Sequence, residues 1–361
     1  MSSNAETTTE TTTATTVNMT KLKVSLLISA ATAKSTANYS VTNIEIVRVI
    51  FTDQEDNSTI SADFPRAQWG VAQEVELHGF GSYQITFEDL DAAGNILLTK
   101  KLDPEIVTFP VGAVVQINYT PGGGTVNIGI LDKGSLVAEY KLNGTGIDSS
   151  GQGNDGTMYN VEQSMDRFGK MHAMYFNGVD SYMAIPLTES LLINSTSSVT
   201  VSFWIQLDGQ AKNSYGTILS SYSDTPGKFV LVIHSADDED TTPPVDMGLQ
   251  IITAIQDIGE NEYTRLSNVP WQSTWAHIGI VYSNETVLVY VNGELKATGN
   301  YTQAESAGDP IYGCLLVGRN HRETSHSDQS YLKGTLDEFR IFKRALSAIE
   351  IGLLAAECDS D

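Results

Sequence analysis

Apolar and polar residues alternate along most of the chain, which is the pattern of β-strands that bury one face. The stretch LKVSLLI (22–28) shows this alternation, and so do GSYQITFEDL (81–90) and SVTVSFWIQL (198–207). Residues typical of tight turns, such as DAAGN at 91–95 and PGGG at 121–124, separate the alternating stretches. The pattern predicts an all-β chain built of β-sandwiches.

The chain of 361 residues divides into an arm and two β domains. Residues 1–20 are polar and rich in threonine, and this composition predicts a flexible arm because it offers too little apolar surface to fold alone. Residues 21–131 predict a small immunoglobulin-like β-sandwich, a description of architecture only, since no Cys-Trp-Cys pattern is present. The stretch LDKGS (131–135) predicts a linker, and residues 132–361 form the second β domain.

The start of the first strand also has features of an export signal. Lys21 and Lys23 precede a short apolar stretch, and Ala31-Thr32-Ala33 is similar to a cleavage site. The alternation over 22–28 favours a half-buried strand instead. We therefore predict no clear signal peptide, and no apolar run reaches the length of a membrane span.

The end of the chain changes its pattern from strand to helix. The stretch GTLDEFRIF (334–342) reads as a strand with Asp337 in its middle, and RALSAIEI (344–351) follows it. Ser347, with Glu350 three positions later, has the pattern of a capping box at a helix N-terminus. The sequence predicts a last strand followed by a short capped helix.

Residues 136–357 resemble the laminin-G-like, concanavalin A-like jelly-roll domains of many surface proteins. The resemblance implies a jelly roll whose last strand returns beside its first strand. It implies binding of glycans or proteins without deciding between them. The segments that carry the resemblance, in the family's order, are LVAEYKLNGTGIDSSGQGNDGTM (136–158), AMYFNGVDSYMAI (173–185), SVTVSFWIQL (198–207) with GTILSSYS (216–223), WAHIGIVYSNETVLVYVNGEL (275–295), LLVGRN (315–320) and LKGTLDEFRIFKRALSAIEI (332–351).

The same resemblance implies a structural calcium ion. Its expected ligands are Asp337, the carbonyl of Gly178 and oxygens near Asn143. Calcium takes six to eight oxygen ligands and accepts carbonyls readily, and Asp148 in a glycine-rich loop is a further candidate. The alternative for both acids is a carboxylate that accepts hydrogen bonds from loop amides.

Aromatic side chains that face outward are the candidate glycan contacts, because sugar rings stack on them while polar neighbours bind the hydroxyls. On 198–207, Trp204 and Gln206 lie opposite the apolar face, and His277 shares a face with Trp275 on the later strand. Packing in the core or in a loop is the alternative for each residue. The candidate ligand-binding residues are Trp204, Gln206, Tyr222, Trp271, His277 and Arg319.

The net charge and the spacing of the cysteines limit the classes of partner and metal that the chain is expected to bind. A net charge of −23 leaves no basic stripe for nucleic acid, and an anionic membrane surface would repel the chain, so we predict no nucleic acid and no membrane insertion. Cys314 and Cys358 lack the spacing of a zinc site. A disulfide between them and two separate thiols both remain open.

Catalysis is not predicted, because a glycoside hydrolase needs two facing carboxylates and no predicted strand of the second domain has acids at alternate positions. We predict a non-enzymatic, surface-exposed binding or adhesion protein, extracellular on a cell or a virion, whose C-terminal domain recognises a glycan or surface polymer. The alternative is a structural or decoration protein of a virion or cell surface, in which the arm and first domain contact neighbouring copies or other structural proteins.

Overall fold

The computed structural model describes residues 22–29, 41–111, 113–191, 198–208, 216–220, 229–237, 247–255, 274–283, 286–300, 314–319 and 331–357. The chain divides into two compact units, Met1–Ile128 and Gly129–Asp361, and the division falls inside the strand Val126–Leu131, a few residues before the predicted boundary at 131. The predicted arm lies outside the described residues. No helix in the described part of the chain is long and apolar enough to cross a membrane.

The first unit contains two four-stranded sheets, in the orders β4-β1-β7-β8 and β3-β2-β5-β6. The stretch 22–28 forms β1, as its alternation predicted, and it pairs in parallel with β7 and antiparallel with β4. The strands are β1 (Leu22–Ile28), β2 (Ile46–Asp53), β3 (Thr59–Pro65), β4 (Gln73–Leu77), β5 (Gly81–Leu90), β6 (Ile96–Phe109), β7 (Val114–Tyr119) and β8 (Val126–Leu131).

Aromatic rings and one buried acid join the two sheets of the first unit. Phe87 of β5 stacks on Tyr119 of β7 with the ring centroids 4.4 Å apart. Asp89 of β5 is fully buried and accepts hydrogen bonds from the hydroxyl of Tyr119 at 3.1 Å and from the backbone N–H of Gly122 at 2.7 Å. Burial raises the pKa of Asp89, although both donors oppose this. The described residues of the first unit form the predicted β-sandwich.

The second unit contains a six-stranded sheet, β10-β13-β21-β15-β16-β17, and an eight-stranded sheet, β11-β12-β22-β14-β18-β19-β20, with β9 also paired to β22. One helix, α1 (Ala348–Ala355), follows the last strand. The strands are β9 (Leu136–Tyr140), β10 (Thr157–Tyr159), β11 (Glu162–Ser164), β12 (Ala173–Asn177), β13 (Tyr182–Pro186), β14 (Val199–Leu207), β15 (Gly216–Ser220), β16 (Phe229–Asp237), β17 (Met247–Ile255), β18 (Ala276–Ser283), β19 (Thr286–Val291), β20 (Glu294–Asn300), β21 (Cys314–Val317) and β22 (Lys333–Phe342).

The core of the second unit lies between its two sheets. On β14, Val201, Phe203 and Ile205 are fully buried in this core, so the residues between them belong to the outer face of the eight-stranded sheet. The last strand β22 pairs antiparallel with the first strand β9, with Phe339 opposite Tyr140. This pairing confirms that the end of the domain returns beside its beginning, and the all-β prediction is correct.

Helix α1 begins as the sequence predicted. The Ser347 side chain accepts a hydrogen bond from the backbone N–H of Glu350, and the Glu350 carboxylate accepts one from the backbone N–H of Ser347. Ile351 is buried against Gly279 of β18. The helix therefore covers part of the outer face of the eight-stranded sheet.

The contact between α1 and the sheet needs a glycine at position 279. A Cβ on Gly279 would lie 2.9 Å from a methyl group of Ile351, closer than carbon atoms pack. We expect Gly279→Ala to lower the free energy of unfolding by about 1–3 kcal/mol, the usual cost of overpacking. Gly352→Ala is the matched control, because a Cβ there meets open space and should stabilise the helix by about 0.5–1 kcal/mol. Equal losses in chemical denaturation would contradict this account.

Candidate functional site

A β-bulge in β22 sets up the polar outer face of the eight-stranded sheet. Ser202 of β14 pairs with Arg340 and Trp204 pairs with Asp337, so β22 has one residue more than β14 between these pairs. Glu338, in this interval, has a left-handed φ of 52°, which is uncommon for a residue other than glycine. The bulge brings Asp337 and Glu338 into the same polar cluster as Arg340.

Arg340 is 3% exposed and pairs with three acids at once. Its guanidinium nitrogens lie 2.8 Å from Glu139, 2.5 Å from Glu338 and 2.8 Å from Glu357. Burial opposes ionisation of Glu139, yet Arg340 and Lys133 together lower the pKa of Glu139 to about 2. We call these five residues the ion cluster. It connects β9, β22 and the segment that follows α1.

Arg167, in the loop between β11 and β12, covers the neighbouring part of the same face. Its Nη1 lies 2.6 Å from the carboxylate of Asp337. The guanidinium lies 4.4 Å from the ring centroid of Trp204 and 4.5 Å from that of Phe168. Trp204 also meets the ring of His277 in an edge contact, with the centroids 5.4 Å apart. The structure thus brings two predicted ligand-binding residues together, but Arg167 stacks on the indole ring.

Burial is the largest influence on the pKa values of Asp337 and His277. It raises the pKa of Asp337 to about 7 with the help of the adjacent Glu338 carboxylate, while Arg167 acts in the opposite direction. Burial also lowers the pKa of His277 to about 3. His277 is fully buried and its Nε2 lies 2.8 Å from the hydroxyl oxygen of Ser202. At neutral pH His277 is uncharged and buried beneath its neighbours on the outer face, so it cannot contact a ligand unless the face opens.

A second group of side chains lies on the six-stranded sheet. Tyr159 of β10 and Tyr182 of β13 are opposite each other, and their rings stack with centroids 4.5 Å apart and planes 12° apart. The guanidinium of Arg319, just after β21, lies 5.1 Å from the ring centroid of Tyr182 and 5.7 Å from that of Tyr331. Tyr331 forms an isolated bridge with Thr217 of β15. We call Tyr159, Tyr182, Arg319 and Tyr331 the tyrosine ladder, because they follow the strand order β10, β13, β21 and β15.

Strand alternation explains why the tyrosine ladder faces outward. On β13, Met183 and Ile185 are fully buried in the core, whereas Tyr182 is only partly buried. Tyr159 lies on the edge strand and is 43% exposed. Aromatic edges, phenolic hydroxyls and guanidinium N–H groups are thus side by side at the surface. A tyrosine has a flat apolar ring and a polar tip, and this combination suits contacts with sugar rings.

A comparison with known protein families shows what the C-terminal unit is similar to. Residues 176–352 match a laminin-G family of the concanavalin A-like lectin/glucanase superfamily. Over these residues the C-terminal unit is similar to that family, and we call the unit the laminin-G-like domain. The match begins within β12 and ends within α1, so it includes β14, β18 and β22 of the eight-stranded sheet. It confirms the resemblance that the sequence segments indicated. A comparison with curated proteins gives no match.

Several solved structures are similar to part of this chain at a low level. Domain 4 of an extracellular GH43 arabinanase from Geobacillus stearothermophilus, in complex with arabinotriose, is 18% identical with a TM-score of 0.44, over 61% of this chain and 98% of that chain. The binding domain of Paraclostridial Mosquitocidal Protein 1 is 19% identical with a TM-score of 0.42, over 62% and 52%. The receptor-binding domain of botulinum neurotoxin C/D mosaic serotype is 17% identical with a TM-score of 0.42, over 62% and 51%. The chain spans about half of each toxin domain. Similarities this low carry no conclusion about function.

The glycine-rich loop of the laminin-G-like domain is closed by hydrogen bonds. The Asp148 carboxylate accepts one from the backbone N–H of Glu139, one from that of Ser150 and one from that of Asn154, each at 2.9 Å. Burial opposes ionisation, but these donors lower the pKa of Asp148. The carboxylate therefore braces the loop.

Calcium fits poorly at the residues predicted to hold it. The Asp337 carboxylate faces the positive charge of Arg167, Asp148 is occupied by backbone amides, and Asn143 is exposed. Gly178 has a φ of 76° in the turn after β12. Within the described ranges, no group of three or more histidine, cysteine or acidic side chains could hold a metal ion. A calcium ion at these residues stays a prediction.

The other residues predicted from the sequence are placed as follows. Gln206 lies on the same strand face as Trp204, opposite Thr335 of β22. Arg319 belongs to the tyrosine ladder. Because its predicted partner lies outside the described residues, the disulfide of Cys314 stays a prediction. Three predicted residues fall outside the described part of the chain: Tyr222, Trp271 and Cys358.

Proposed function

We propose that the laminin-G-like domain is a non-enzymatic glycan-binding module and that the tyrosine ladder is its contact surface. The observation that supports this proposal is the stack of Tyr159 on Tyr182 at 4.5 Å, continued by Arg319 on the outer face of the sheet. The proposal includes an extracellular location, where surface glycans are found. It moves the expected contact away from Trp204, where the sequence alone placed it.

The chemistry of the tyrosine ladder suits a carbohydrate. The partly exposed ring of Tyr159 can stack on the C–H face of a sugar, and phenolic hydroxyls and the guanidinium of Arg319 can hydrogen-bond to sugar hydroxyls. The mutual stacking restrains the side chains, so less conformational entropy is lost when a ligand binds. This arrangement provides both an apolar and a polar contact at one place.

The net charge of the chain favours uncharged glycans over anionic ones as ligands. A net charge of −23 repels a densely anionic polymer over long range, so we expect a neutral glycan rather than a sulfated one. The acids gathered on the other sheet are poorly suited to glycoside hydrolysis. Glu139 and Glu338 are paired with Arg340, and Asp337 is paired with Arg167. A hydrolase instead needs two carboxylates that face the substrate.

A glycan array probed with the full chain and its variants tests the proposal. Tyr182→Ala and Tyr159→Ala should each weaken binding to the positive glycans by about tenfold or more, since a central aromatic anchor commonly contributes about 2 kcal/mol. The matched control is Tyr175→Ala on β12 of the other sheet, which should leave binding unchanged. Thermal unfolding of each variant shows whether the domain remains folded.

The array also shows whether glycans contact the tyrosine ladder or the face of the eight-stranded sheet around Trp204. Binding that is lost in Trp204→Phe and kept in both ladder variants would place the contact on the eight-stranded sheet and overturn the proposal. Chelation of calcium with EDTA should not change binding to the tyrosine ladder, because no predicted calcium ligand belongs to the ladder. No signal for the unmodified chain on any glycan would also count against the proposal.

A further inference from the structure

The chain contains three Asn-Gly pairs, which begin at Asn143, Asn177 and Asn292. In such a pair the backbone nitrogen of the glycine can attack the side-chain carbonyl carbon of the asparagine, because glycine has no side chain that hinders the approach. The attack requires the asparagine side chain to rotate onto the following peptide bond. The three asparagines, all in the laminin-G-like domain, differ in their freedom to do this.

Asn177 is held most firmly. Its Oδ1 accepts hydrogen bonds from the backbone N–H groups of Val179 at 2.8 Å, Asp180 at 3.0 Å and Ser181 at 3.2 Å. Its Nδ2 donates to the Asp180 carboxylate at 2.7 Å. The side chain organises the turn between β12 and β13, and it cannot reach the Gly178 nitrogen without breaking these four bonds.

Asn292 is held by one bond and by its turn. Its Oδ1 accepts a hydrogen bond from the backbone N–H of His277 at 2.9 Å. Asn292 and Gly293 have φ values of 50° and 81°, as expected for the type I′ turn between β19 and β20. Rotation of this side chain breaks the hydrogen bond to β18.

Asn143 lacks such restraints. It is exposed in the loop after β9, and its side chain forms no hydrogen bond within the described residues. The following Gly144 has a φ of 97°, a conformation that glycine adopts without strain. The side chain is free to rotate towards the Gly144 nitrogen.

We propose that Asn143 is the site of spontaneous deamidation in this chain. The Gly144 nitrogen forms a bond to Cγ of Asn143 and gives up its proton to solvent. Nδ2 takes up a proton from solvent, and the bond from Cγ to Nδ2 breaks with release of ammonia. Water then opens the cyclic imide at either carbonyl, which leaves aspartate or isoaspartate. Isoaspartate adds a methylene to the backbone directly after Leu142, a fully buried residue with a φ of 55°, and so disturbs the end of β9.

Incubation of the full chain in mildly alkaline buffer, followed by peptide mapping with mass spectrometry, tests the proposal. Each hydrogen bond that must open slows the reaction roughly fivefold. Asn143 should therefore convert first, Asn292 at least about fivefold more slowly, and Asn177 at least about a hundredfold more slowly. The chain is produced without N-glycosylation, because Asn143-Gly144-Thr145 is also a glycan acceptor sequence.

Two controls connect the order of reaction to the structure. In the urea-unfolded chain the three sites should convert at similar rates. Asp180→Ala should speed conversion of Asn177 roughly fivefold and leave Asn143 unchanged, because it removes one of the four restraints. Conversion of Asn177 or Asn292 as fast as Asn143 in the folded chain would overturn the proposal, and so would the same order of rates in urea.

Discussion

Replacing Arg340 with methionine is expected to lower the free energy of unfolding of the C-terminal unit by about 3–5 kcal/mol, the range for breaking a buried ion pair. Methionine keeps much of the side-chain volume but leaves Glu338 and Glu357 without their ion-pair partner, and it leaves Glu139 paired with Lys133 alone. Chemical denaturation followed by tryptophan fluorescence measures the change, since three of the four tryptophans belong to this unit.

Arg344→Met is the matched control for Arg340→Met. Arg344 follows β22 directly, but its side chain is 30% exposed, and among the acids that the structure describes it pairs only with Glu350. A partly exposed pair contributes about 1 kcal/mol or less. Adding Glu338→Gln to Arg340→Met should recover part of the loss, because it removes one of the unpaired charges. Similar losses for the two arginine variants would contradict a special role for the ion cluster.

The fold of the second unit could be predicted because its signals are local. Strict alternation on β14 separates the core residues from the outer residues without reference to any other strand. Ser347 and Glu350 show the helix start within four residues, and Asn292-Gly293 shows the hairpin turn within two. Each of these features depends on residues that are neighbours in sequence.

The polar face of the eight-stranded sheet could not be predicted in the same way. Regular alternation from Leu336 would place Glu338 and Arg340 on the core face, and the bulge that moves them is not visible in the residue pattern. The partner of Asp337 is Arg167, which lies on a distant loop and has no motif around it. The sequence therefore indicated that Asp337 was important but not that its partner is a cation from the protein itself.

The tyrosine ladder on the six-stranded sheet could not be predicted from the sequence either. Its members come from β10, β13, the end of β21 and the bridge beside β15, and only the order of strands in the sheet makes them neighbours. Arg319 is among the candidates that the sequence indicates, whereas no local pattern marks Tyr159, Tyr182 or Tyr331. A prediction of which strands pair would have been the signal needed to find them.

A change of pH should affect the contributions of Asp337 and His277 to stability in opposite directions. The folded-state pKa of Asp337, about 7, is above the ordinary value of 3.8, so the folded state keeps a proton that the unfolded state loses. Stability from Asp337 therefore falls as pH rises from about 4 to 7, by at most about 4 kcal/mol. The folded-state pKa of His277, about 3, is below the ordinary 6.5, so stability from His277 rises as pH increases between these values.

These two contributions nearly cancel between pH 4 and pH 6.5, and a variant should separate them. Asp337→Asn removes the falling contribution and leaves the rising one, so its unfolding free energy should climb from pH 4 to pH 6.5 more steeply than that of the unmodified chain. His277→Gln should do the reverse and climb less steeply. Acids far from these two residues titrate alike in all three proteins, so the differences between the curves report on Asp337, His277 and their direct neighbours. Parallel curves in chemical denaturation across this range would show that neither pKa is displaced in the folded protein. The burial that Arg167 and α1 impose on this face would then be too weak to control protonation.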